Sequence, residues 1–350
     1  MITNLFFENN LWLKALLCIS SSFLIGFFSI KKYIKIMNQK ALYQPIRDSG
    51  PQTHLQTKKK TPTMGGIFII LATLLSTLLF IDITNRYILV ILSVMLTFGI
   101  IGLVDDLLKV IFKNPNGFRG SYKIIIQFAV IGGAFLWLGI IDNTHLNNQI
   151  SIPIFKDFAL TLNIILYVLF VNFVIVGTSN AVNLTDGLDG LVSVPAIINL
   201  ICLIFIIFCI STPKISSHLN LFQIKFTGEI IFFCLSLIGA IGAFLFFNLK
   251  PAKIFMGDVG SLAIGSTLGL IAIIIKQEII FFIISLVFVA ESLSVILQVG
   301  SYKIRKKRIF LMAPLHHHFE KLGWEETKVV KAFWASSFFF ACLGIIIFLI

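Results

Sequence analysis

Residues 180–210 read NAVNLTDGLDGLVSVPAIINLICLIFIIFCI, and this stretch decides the fold. Its second part, residues 191–210, is predominantly apolar over about 20 residues, the length that a helix needs to cross the hydrocarbon of a bilayer. Its first part carries four Asn and Asp side chains directly beside that apolar run. Polar groups at the edge of hydrocarbon are costly unless a task keeps them there, so the stretch indicates a functional site at a membrane surface.

The composition extends this interpretation to the whole chain of 350 residues. Hydrophobic residues make up 57% of it and charged residues only 13%, which is more apolar surface than a soluble core could bury. We therefore expect a single all-α polytopic membrane domain, residues 1–350, with about ten transmembrane helices. Nine further runs have roughly the length of a span, and none alternates as barrel strands do: residues 11–30, 64–83, 87–104, 124–141, 158–177, 230–247, 259–275, 279–299 and 332–350.

The basic residues predict the orientation of these spans. Of the 28 Lys and Arg residues, 22 lie in the connections that follow the first, third, seventh and ninth runs. The positive-inside rule places these connections in the cytoplasm and both termini outside. This topology and anionic lipid headgroups explain the net charge of +12, and basic residues spread over separate loops predict no nucleic-acid partner. The five cysteines have no paired spacing, which argues against disulfides and zinc.

Five aspartates lie at the ends of apolar runs on the predicted cytoplasmic side: Asp105, Asp106, Asp186, Asp189 and Asp258. Asp105 and Asp106 follow the third run, and from a helix end both can reach a common polar cavity. The alternative is a solvated helix end that Lys109 neutralises. An ionised carboxylate beside hydrocarbon is costly unless a cation or a catalytic task holds it there, so five together predict a metal-dependent active site.

The polar part of the opening stretch repeats an oxygen-bearing side chain at every third residue: Asn180, Asn183, Asp186 and Asp189. On a helical or near-helical backbone these four would stack on one side. Their oxygens suit Mg²⁺, or the hydroxyls and amides of a sugar nucleotide. Gly187 and Gly190 would let a ligand approach the backbone closely. A turn that caps the next helix would explain one such residue but explains four poorly.

The segment FMGDVGS, residues 255–261, precedes the eighth run, with Asn248 upstream. Asp258 is either a simple helix N-cap or a carboxylate at an anion-binding helix start, where Mg²⁺ bridges it to phosphate. Phe255 offers an aromatic face for stacking a base, although an apolar contact is the plainer role for one Phe among 36.

The segment PLHHHFE, residues 314–320, holds three of the six histidines. The side chains of His316, His317 and His318 would diverge on a helix, so we do not expect them to chelate one metal. We expect them to bind a polyanionic substrate. A solvated basic loop is the alternative.

Lys58, Lys59 and Lys60 form a basic run immediately before TPTMGG, residues 61–66. A lysine run before a helix usually serves to orient the span in the membrane. We expect one of these lysines also to bind a phosphate group as a compact cation.

Carboxylates, phosphate-binding backbone and cations on one membrane face are typical of phosphoryl transfer between a nucleotide donor and a lipid acceptor. The motifs together resemble the phospho-N-acetylmuramoyl-pentapeptide transferases, within the polyprenyl-phosphate N-acetylhexosamine-1-phosphate transferase superfamily. The resemblance covers residues 58–320 in motif order: TPTMGG at 61–66, VDD at 104–106, NAVNLTDGLDGL at 180–191, FMGDVGS at 255–261 and PLHHHFE at 314–320.

The resemblance implies an Mg²⁺-dependent transfer of phospho-MurNAc-pentapeptide from UDP-MurNAc-pentapeptide to undecaprenyl phosphate at the cytoplasmic face of the bacterial inner membrane. The implied products are UMP and the first lipid intermediate of peptidoglycan synthesis. It also implies that Asp258 is the catalytic Mg²⁺ ligand and that Asp105 and Asp106 handle the lipid phosphate. The implied donor contacts are Lys58, Lys123, Asn183, Asp186, Gly187, Asp189, Asn248, Phe255, His316, His317 and His318. Assembly as a homodimer is left open.

Two alternatives stand beside this interpretation. A related transferase using UDP-GlcNAc would act without a peptide on the sugar. A transporter or flippase for the lipid product would use charges midway across the membrane, and only Glu291, inside the ninth run, fits that position. Our hypothesis for Glu291 is a kinked or broken helix that packs it against polar neighbours. For the chemistry we favour direct attack by the lipid phosphate over a covalent enzyme intermediate.

Overall fold

The computed structural model of the protein describes residues 10–40, 61–111, 120–141, 148–153, 159–221, 224 and 227–350. Helices dominate these residues, and their only strands form an antiparallel hairpin of β1 (Gln149–Ser151) and β2 (Ala159–Thr161). The described helices, in chain order, are α1 (Leu11–Lys40), α2 (Gly66–Phe80), α3 (Arg86–Ile111), α4 (Gly120–Ile141), α5 (Ile164–Thr185), α6 (Ser193–Ser211), α7 (Pro213–His218), α8 (Gly228–Asn248), α9 (Asp258–Ile274), α10 (Glu278–Ile284), α11 (Leu286–Arg305), α12 (Leu315–Lys321) and α13 (Glu326–Leu349).

Every predicted span contains a described apolar helix. Seven helices are long and apolar enough to cross a membrane: α1, α3, α5, α6, α8, α11 and α13. Three shorter apolar segments, Gly66–Phe80, Tyr122–Ala134 and Asp258–Ile274, lie in the other predicted spans. Large apolar side chains such as Trp12 and Phe173 are exposed on the outside, as expected where lipid is the solvent. The prediction of an all-α polytopic membrane protein is confirmed, and the orientation of its termini stays a prediction.

The helix ends differ from the ends of the apolar runs. α1 continues to Lys40 and α13 begins at Glu326, because hydropathy marks the edge of hydrocarbon whereas polar residues can prolong a helix beyond it. The predicted start of the fifth span at residue 158 is wrong: β2 occupies residues 159–161, and Asn163 caps α5 by accepting a hydrogen bond from the Ile165 N–H at 2.9 Å. The ninth run is divided into α10 and α11 at Ser285, as the broken-helix hypothesis requires.

α9 is the central helix of the bundle. All its residues from 259 to 274 are buried, and it packs against both α3 and α5. It also crosses α2 so closely that a Cβ atom on Gly66 would lie 2.2 Å from the Cα atom of Gly260. A second set of contacts joins α8 to α1, α2 and α6. Asp258, the first residue of α9, is therefore carried by an enclosed and firmly placed helix.

Candidate active site

Three carboxylates meet where the end of α3 approaches the start of α9. Asp105, Asp106 and Asp258 each offer an oxygen, and these oxygens lie within 4.8 Å of one another. Asp105 and Asp106 are buried, whereas the Asp258 side chain keeps 17% of its surface exposed. These three residues are termed the acid cluster below. The structure brings them together as the sequence predicted.

Two lysines bind the acid cluster. Lys123 of α4 places its Nζ 2.7 Å from Asp258 Oδ2 and 3.7 Å from Asp105 Oδ2. Lys109 of α3 places its Nζ 2.6 Å from Asp105 Oδ2 and 3.1 Å from Asp258 Oδ2. Buried carboxylates are stable only with partners of opposite charge, and here three carboxylates face two ammonium groups. The cluster therefore has more carboxylates than ammonium partners, which leaves room for a further cation.

The acid cluster is also oriented by neutral donors. The Asn183 amide of α5 donates to Asp258 Oδ1 at 2.9 Å and to Ser261 Oγ at 2.8 Å. Asp106 Oδ2 accepts the backbone N–H of Val259 at 3.2 Å. Gly257 precedes α9 with φ 77°, and a Cβ atom there would lie 2.4 Å from Asp106 Oδ2. Only glycine satisfies both the left-handed backbone and this close approach.

The chemistry of the donor set fits Mg²⁺. This ion prefers oxygen ligands and is usually bound by one or two carboxylates while substrate phosphates and water complete its coordination. The acid cluster supplies carboxylate oxygens, one more carboxylate than its ammonium partners and, at Asp258, access from outside. The residues present therefore suit the ion that the sequence predicted, and Mg²⁺ itself stays a prediction.

The turn after α5 departs from the predicted stack of four polar side chains. α5 ends at Thr185, and Asp186 has the non-helical angles φ −77° and ψ 56°. Asn180 and Asn183 therefore lie on the helix, whereas Asp186 and Asp189 lie in the turn beyond it. The predicted stack is wrong because the helix ends before the repeat does, and the four side chains serve different contacts.

Asp189 and Asn248 brace this turn against the loop after α8. Asp189 Oδ2 accepts the backbone N–H of Ala252 at 3.0 Å. The Asn248 amide accepts the Gly190 N–H at 2.9 Å and donates to the Ile254 carbonyl at 2.8 Å. The structure thus places both buried side chains between two segments of backbone. Their predicted contacts with substrate stay predictions.

α13 supports the same turn from behind. Glu326 Oε1 accepts the Asp189 N–H at 3.2 Å, and Glu326 Oε2 lies 3.1 Å from Lys250 Nζ. The Trp334 indole donates to the Gly190 carbonyl at 3.3 Å. A small apolar cluster, separate from the main core, fills the space between the turn and α13: Leu188, Leu191, Val329 and Val330.

The three histidines of α12 point to three different partners, as their predicted divergence requires. His316 is buried against Glu291 of α11, with its Nδ1 3.2 Å from Glu291 Oε2. His317 Nδ1 lies 2.7 Å from Glu320 Oε2 on the same helix. His318 Nδ1 accepts a backbone N–H from the preceding loop at 3.2 Å. The described geometry does not bring the three rings to a common metal.

Two further motifs meet at the start of α2. The Phe255 N–H donates to the Pro62 carbonyl at 2.8 Å, and the Phe255 carbonyl accepts the Gly65 N–H at 2.9 Å. FMGD is thereby paired with TPTMGG beside the acid cluster. The Phe255 side chain is half-buried, and its predicted stacking on a base stays a prediction. Lys58 lies outside the described residues, so its predicted phosphate contact also stays a prediction.

Sequence reasoning missed Lys109 as a member of the site and left Glu291 without a role. Lys109 follows Asp105 by four residues and Asp106 by three, which are the spacings of facing side chains on a helix, so the signal was present. Glu291 and His316 are 25 residues apart on different helices, and no local pattern pairs them.

Comparison with known proteins agrees with these motifs. Residues 88–276, which include the acid cluster and the turn after α5, match the profile of Glycosyl transferase family 4, and residues 58–70 match Phospho-N-acetylmuramoyl-pentapeptide-transferase signature 1. Proteins named phospho-N-acetylmuramoyl-pentapeptide-transferase from Rickettsia montanensis and Rickettsia felis are 45% and 46% identical to this chain over 334 residues, covering 95% of it and 91% of each relative. The relative from Rickettsia canadensis is 45% identical with the same coverage. The chain therefore belongs to the phospho-N-acetylmuramoyl-pentapeptide-transferase family, within Glycosyl transferase family 4.

Proposed function

We propose that this protein transfers phospho-MurNAc-pentapeptide from UDP-MurNAc-pentapeptide to undecaprenyl phosphate. The reaction depends on Mg²⁺, takes place at the cytoplasmic face of the bacterial inner membrane, and yields UMP and the first lipid intermediate of peptidoglycan synthesis. One observation carries the proposal: the acid cluster and two lysines lie together at one end of an apolar helix bundle. The family of the chain supports the choice of donor.

The reaction joins two phosphates and separates two others. An oxygen of the lipid phosphate attacks the donor phosphorus that bears the sugar, and the bond from this phosphorus to the UMP oxygen breaks. Charge spreads over the phosphoryl oxygens in the transition state, and the Nζ atoms of Lys109 and Lys123 are placed to bind them. Positioning and charge neutralisation suffice for this chemistry, so a single displacement needs no enzyme-bound intermediate.

The three carboxylates take different parts. Asp258, with Asp105 and Asp106 beside it, would hold Mg²⁺, which when bound neutralises charge on the donor pyrophosphate. Asp106 is 1% exposed and already binds the Val259 N–H, so it mainly orients the cluster. Asp105 is therefore the better candidate to orient the lipid phosphate or to remove its proton.

The donor's nucleoside and sugar would lie against three segments that meet at the turn after α5. These are the turn after α5, the loop between α8 and α9, and α12. Their predicted contacts are Asp186, Gly187, Asp189, Phe255, His316, His317 and His318. Asn183 links this pocket to the acid cluster. Its amide binds Asp258, and the residue precedes Gly187 by four positions in the chain.

The described contacts bear differently on the two alternatives, a UDP-GlcNAc transferase and a transporter. A UDP-GlcNAc transferase would use the same phosphate chemistry, and only the donor distinguishes it. The transporter alternative depended on Glu291 as a charge midway across the membrane. Glu291 instead binds His316 of the triple-histidine helix, and this pairing explains its presence without a transport pathway.

The test is a comparison of donors with purified protein in micelles that contain undecaprenyl phosphate and Mg²⁺. We expect UMP release and a lipid-linked phospho-sugar with UDP-MurNAc-pentapeptide and little of either with UDP-GlcNAc. The Asp258→Asn variant is the inactive control. Asp82→Asn is the active one, since the Asp82 carboxylate accepts hydrogen bonds from Thr84 at the opposite end of α2 from the acid cluster. Product from UDP-GlcNAc alone, or from neither donor, would overturn the proposal.

A further inference from the structure

Glu291 is completely buried on α11, and its carboxylate binds one residue twice. Oε1 accepts the backbone N–H of His316 at 3.1 Å, and Oε2 lies 3.2 Å from His316 Nδ1. A carboxylate removed from water is stable only when donors replace the lost hydration. Both of these donors belong to His316, the second residue of α12. Glu291 therefore fastens the start of α12 to α11.

The other edge of the His316 ring faces the turn after α5. His316 Nε2 is buried and has no hydrogen-bond partner among the described residues. A Cβ atom on Gly187 would lie 2.2 Å from this nitrogen. The imidazole thus occupies the space that any side chain at position 187 would need. It separates α11 from the turn as a rigid spacer.

The contact with Glu291 also decides where the ring carries its proton. With the Glu291 carboxylate as the hydrogen-bond acceptor, the donor is the Nδ1–H of His316. In the neutral ring Nε2 is then the bare nitrogen, presented toward Gly187. A carboxylate commonly fixes the tautomer and orientation of an imidazole in this way.

We propose that Glu291 is a positioning residue for donor binding. It holds His316 between α11 and Gly187, and thereby sets both the shape of the turn at residues 186–189 and the direction of His317. The inference rests on the proposed function, because it takes the turn and α12 to line the donor pocket. It adds a residue whose described side-chain contacts are with α12 and not with the acid cluster.

Glu291→Gln tests this role with little change of shape. The amide oxygen can accept a hydrogen bond from the backbone N–H of His316, but the NH₂ group cannot accept a hydrogen bond from Nδ1. We expect the KM for the UDP-MurNAc-pentapeptide donor to rise about tenfold, while the KM for undecaprenyl phosphate and the Mg²⁺ requirement stay within about twofold. A rise in both KM values, or in neither, would contradict the proposal.

Glu229→Gln is the matched control. Glu229 is another carboxylate paired across helices, with Lys14 Nζ 2.7 Å away, and it lies at the opposite end of α8 from Asn248. Its replacement should lower thermal stability and leave the donor KM unchanged. A donor KM raised equally in both variants would mean that general loosening of the bundle, and not positioning, is responsible.

The position of the proton on the His316 ring is a further measurement. A merely structural role of Glu291 would leave this position unchanged. NMR of isotope-labelled histidine nitrogens, with His316 assigned by its loss in His316→Gln, should show a protonated Nδ1 in the parent protein. In Glu291→Gln the proton should move to Nε2, because Nδ1 then faces an amide donor. An unchanged tautomer together with an unchanged donor KM would overturn the proposal.

A double-mutant cycle between Gly187→Ala and His316→Ala tests the spacer on which the proposal depends if Glu291→Gln does not fold. Gly187→Ala should weaken UMP binding, and His316→Ala should relieve part of that loss by removing the clash, so the two effects should not add. Additive effects would refute the spacer. These readouts separate the two proposals: a parent protein that does not turn over UDP-MurNAc-pentapeptide disproves the proposed function, whereas the tautomer still tests the role of Glu291 and the cycle still tests the spacer.

Discussion

Lys123 Nζ lies 2.7 Å from Asp258 Oδ2, so the start of the central helix is bound by a cation from a different helix. Lys109 Nζ lies 3.1 Å from the same oxygen. Asp258 Oδ1 accepts the Asn183 amide at 2.9 Å. The Asp258 side chain thus joins α3, α4, α5 and α9. Its charge holds the site together and is also available to the chemistry of the site.

Asp258→Asn should reduce turnover about 1000-fold or more, because the neutral amide cannot replace a charged metal ligand and loses the charge attraction to the two lysines. UMP release should be measured across a series of Mg²⁺ concentrations, with Asp82→Asn as the control acid. The purified variant should remain folded, since the helices themselves are unchanged. Turnover near that of the parent with an unaltered Mg²⁺ response would contradict the metal assignment.

Lys123→Met should reduce turnover about 100-fold, the usual loss when one donor to a developing phosphoryl charge is removed. The side chain keeps its length and apolar stem, so packing should change little. Lys214→Met, on the exposed short helix α7, is the matched control and should keep full activity. Equal activities of the two variants would exclude Lys123 from the chemistry.

Asp105→Asn should lose activity most at low pH. A phosphate monoester loses its second proton near pH 6, so below that pH the acceptor needs a base to expose its attacking oxygen, and above it the acceptor ionises unaided. We expect a loss of roughly 100-fold at pH 6 and less than about 10-fold at pH 9. A loss of activity that does not depend on pH would mean that Asp105 has a structural or metal-binding role.

Asn248→Ala should destabilise the protein by about 2 kcal/mol, because it leaves the Gly190 N–H and the Ile254 carbonyl without their buried partner. Thermal unfolding in detergent measures the loss. Asn199→Ala is the control: Asn199 is equally buried, but its amide donates only to Pro195 on its own helix, and we expect about half the effect or less. A larger loss for Asn199→Ala would contradict the brace.

Labelling of single cysteines should reveal the orientation. In a background with the exposed Cys342 replaced by Ser, Lys253→Cys and Lys307→Cys should react from the cytoplasm and Lys214→Cys from outside. All three positions are exposed, so reagent access is not limited by burial. The reverse pattern would place the acid cluster away from a cytosolic nucleotide and refute the proposed topology.

The spans and the acid cluster could be predicted because each depends on a local pattern. An apolar run of sufficient length forms a helix wherever backbone groups must be satisfied internally, and each of the ten predicted runs contains a described apolar helix. The sequence indicated the acid cluster, Asp105, Asp106 and Asp258, because a carboxylate beside hydrocarbon is costly unless a cation or a catalytic task holds it there. Lys109 shows that a correct spacing can still be overlooked when a residue is assigned only to neutralise its neighbours.

The remaining contacts depend on tertiary structure. The repeat of Asn180, Asn183, Asp186 and Asp189 suggested one polar stripe, but α5 ends at Thr185 and the turn beyond it packs against α13, a contact that no local pattern contains. The bridging of Asn248 between two segments and the pairing of Glu291 with His316 join residues far apart in the chain. Such contacts follow from how helices dock, and composition and periodicity do not determine that.

The support that α13 gives to the turn after α5 fixes an order of events during synthesis. Glu326 follows Asp189 by 137 residues, and Trp334 contributes its hydrogen bond later still. The ribosome completes α5 and its turn first, while these partners have not yet been made. A nascent chain therefore has its turn after α5 unsupported until the last helix has been made and inserted.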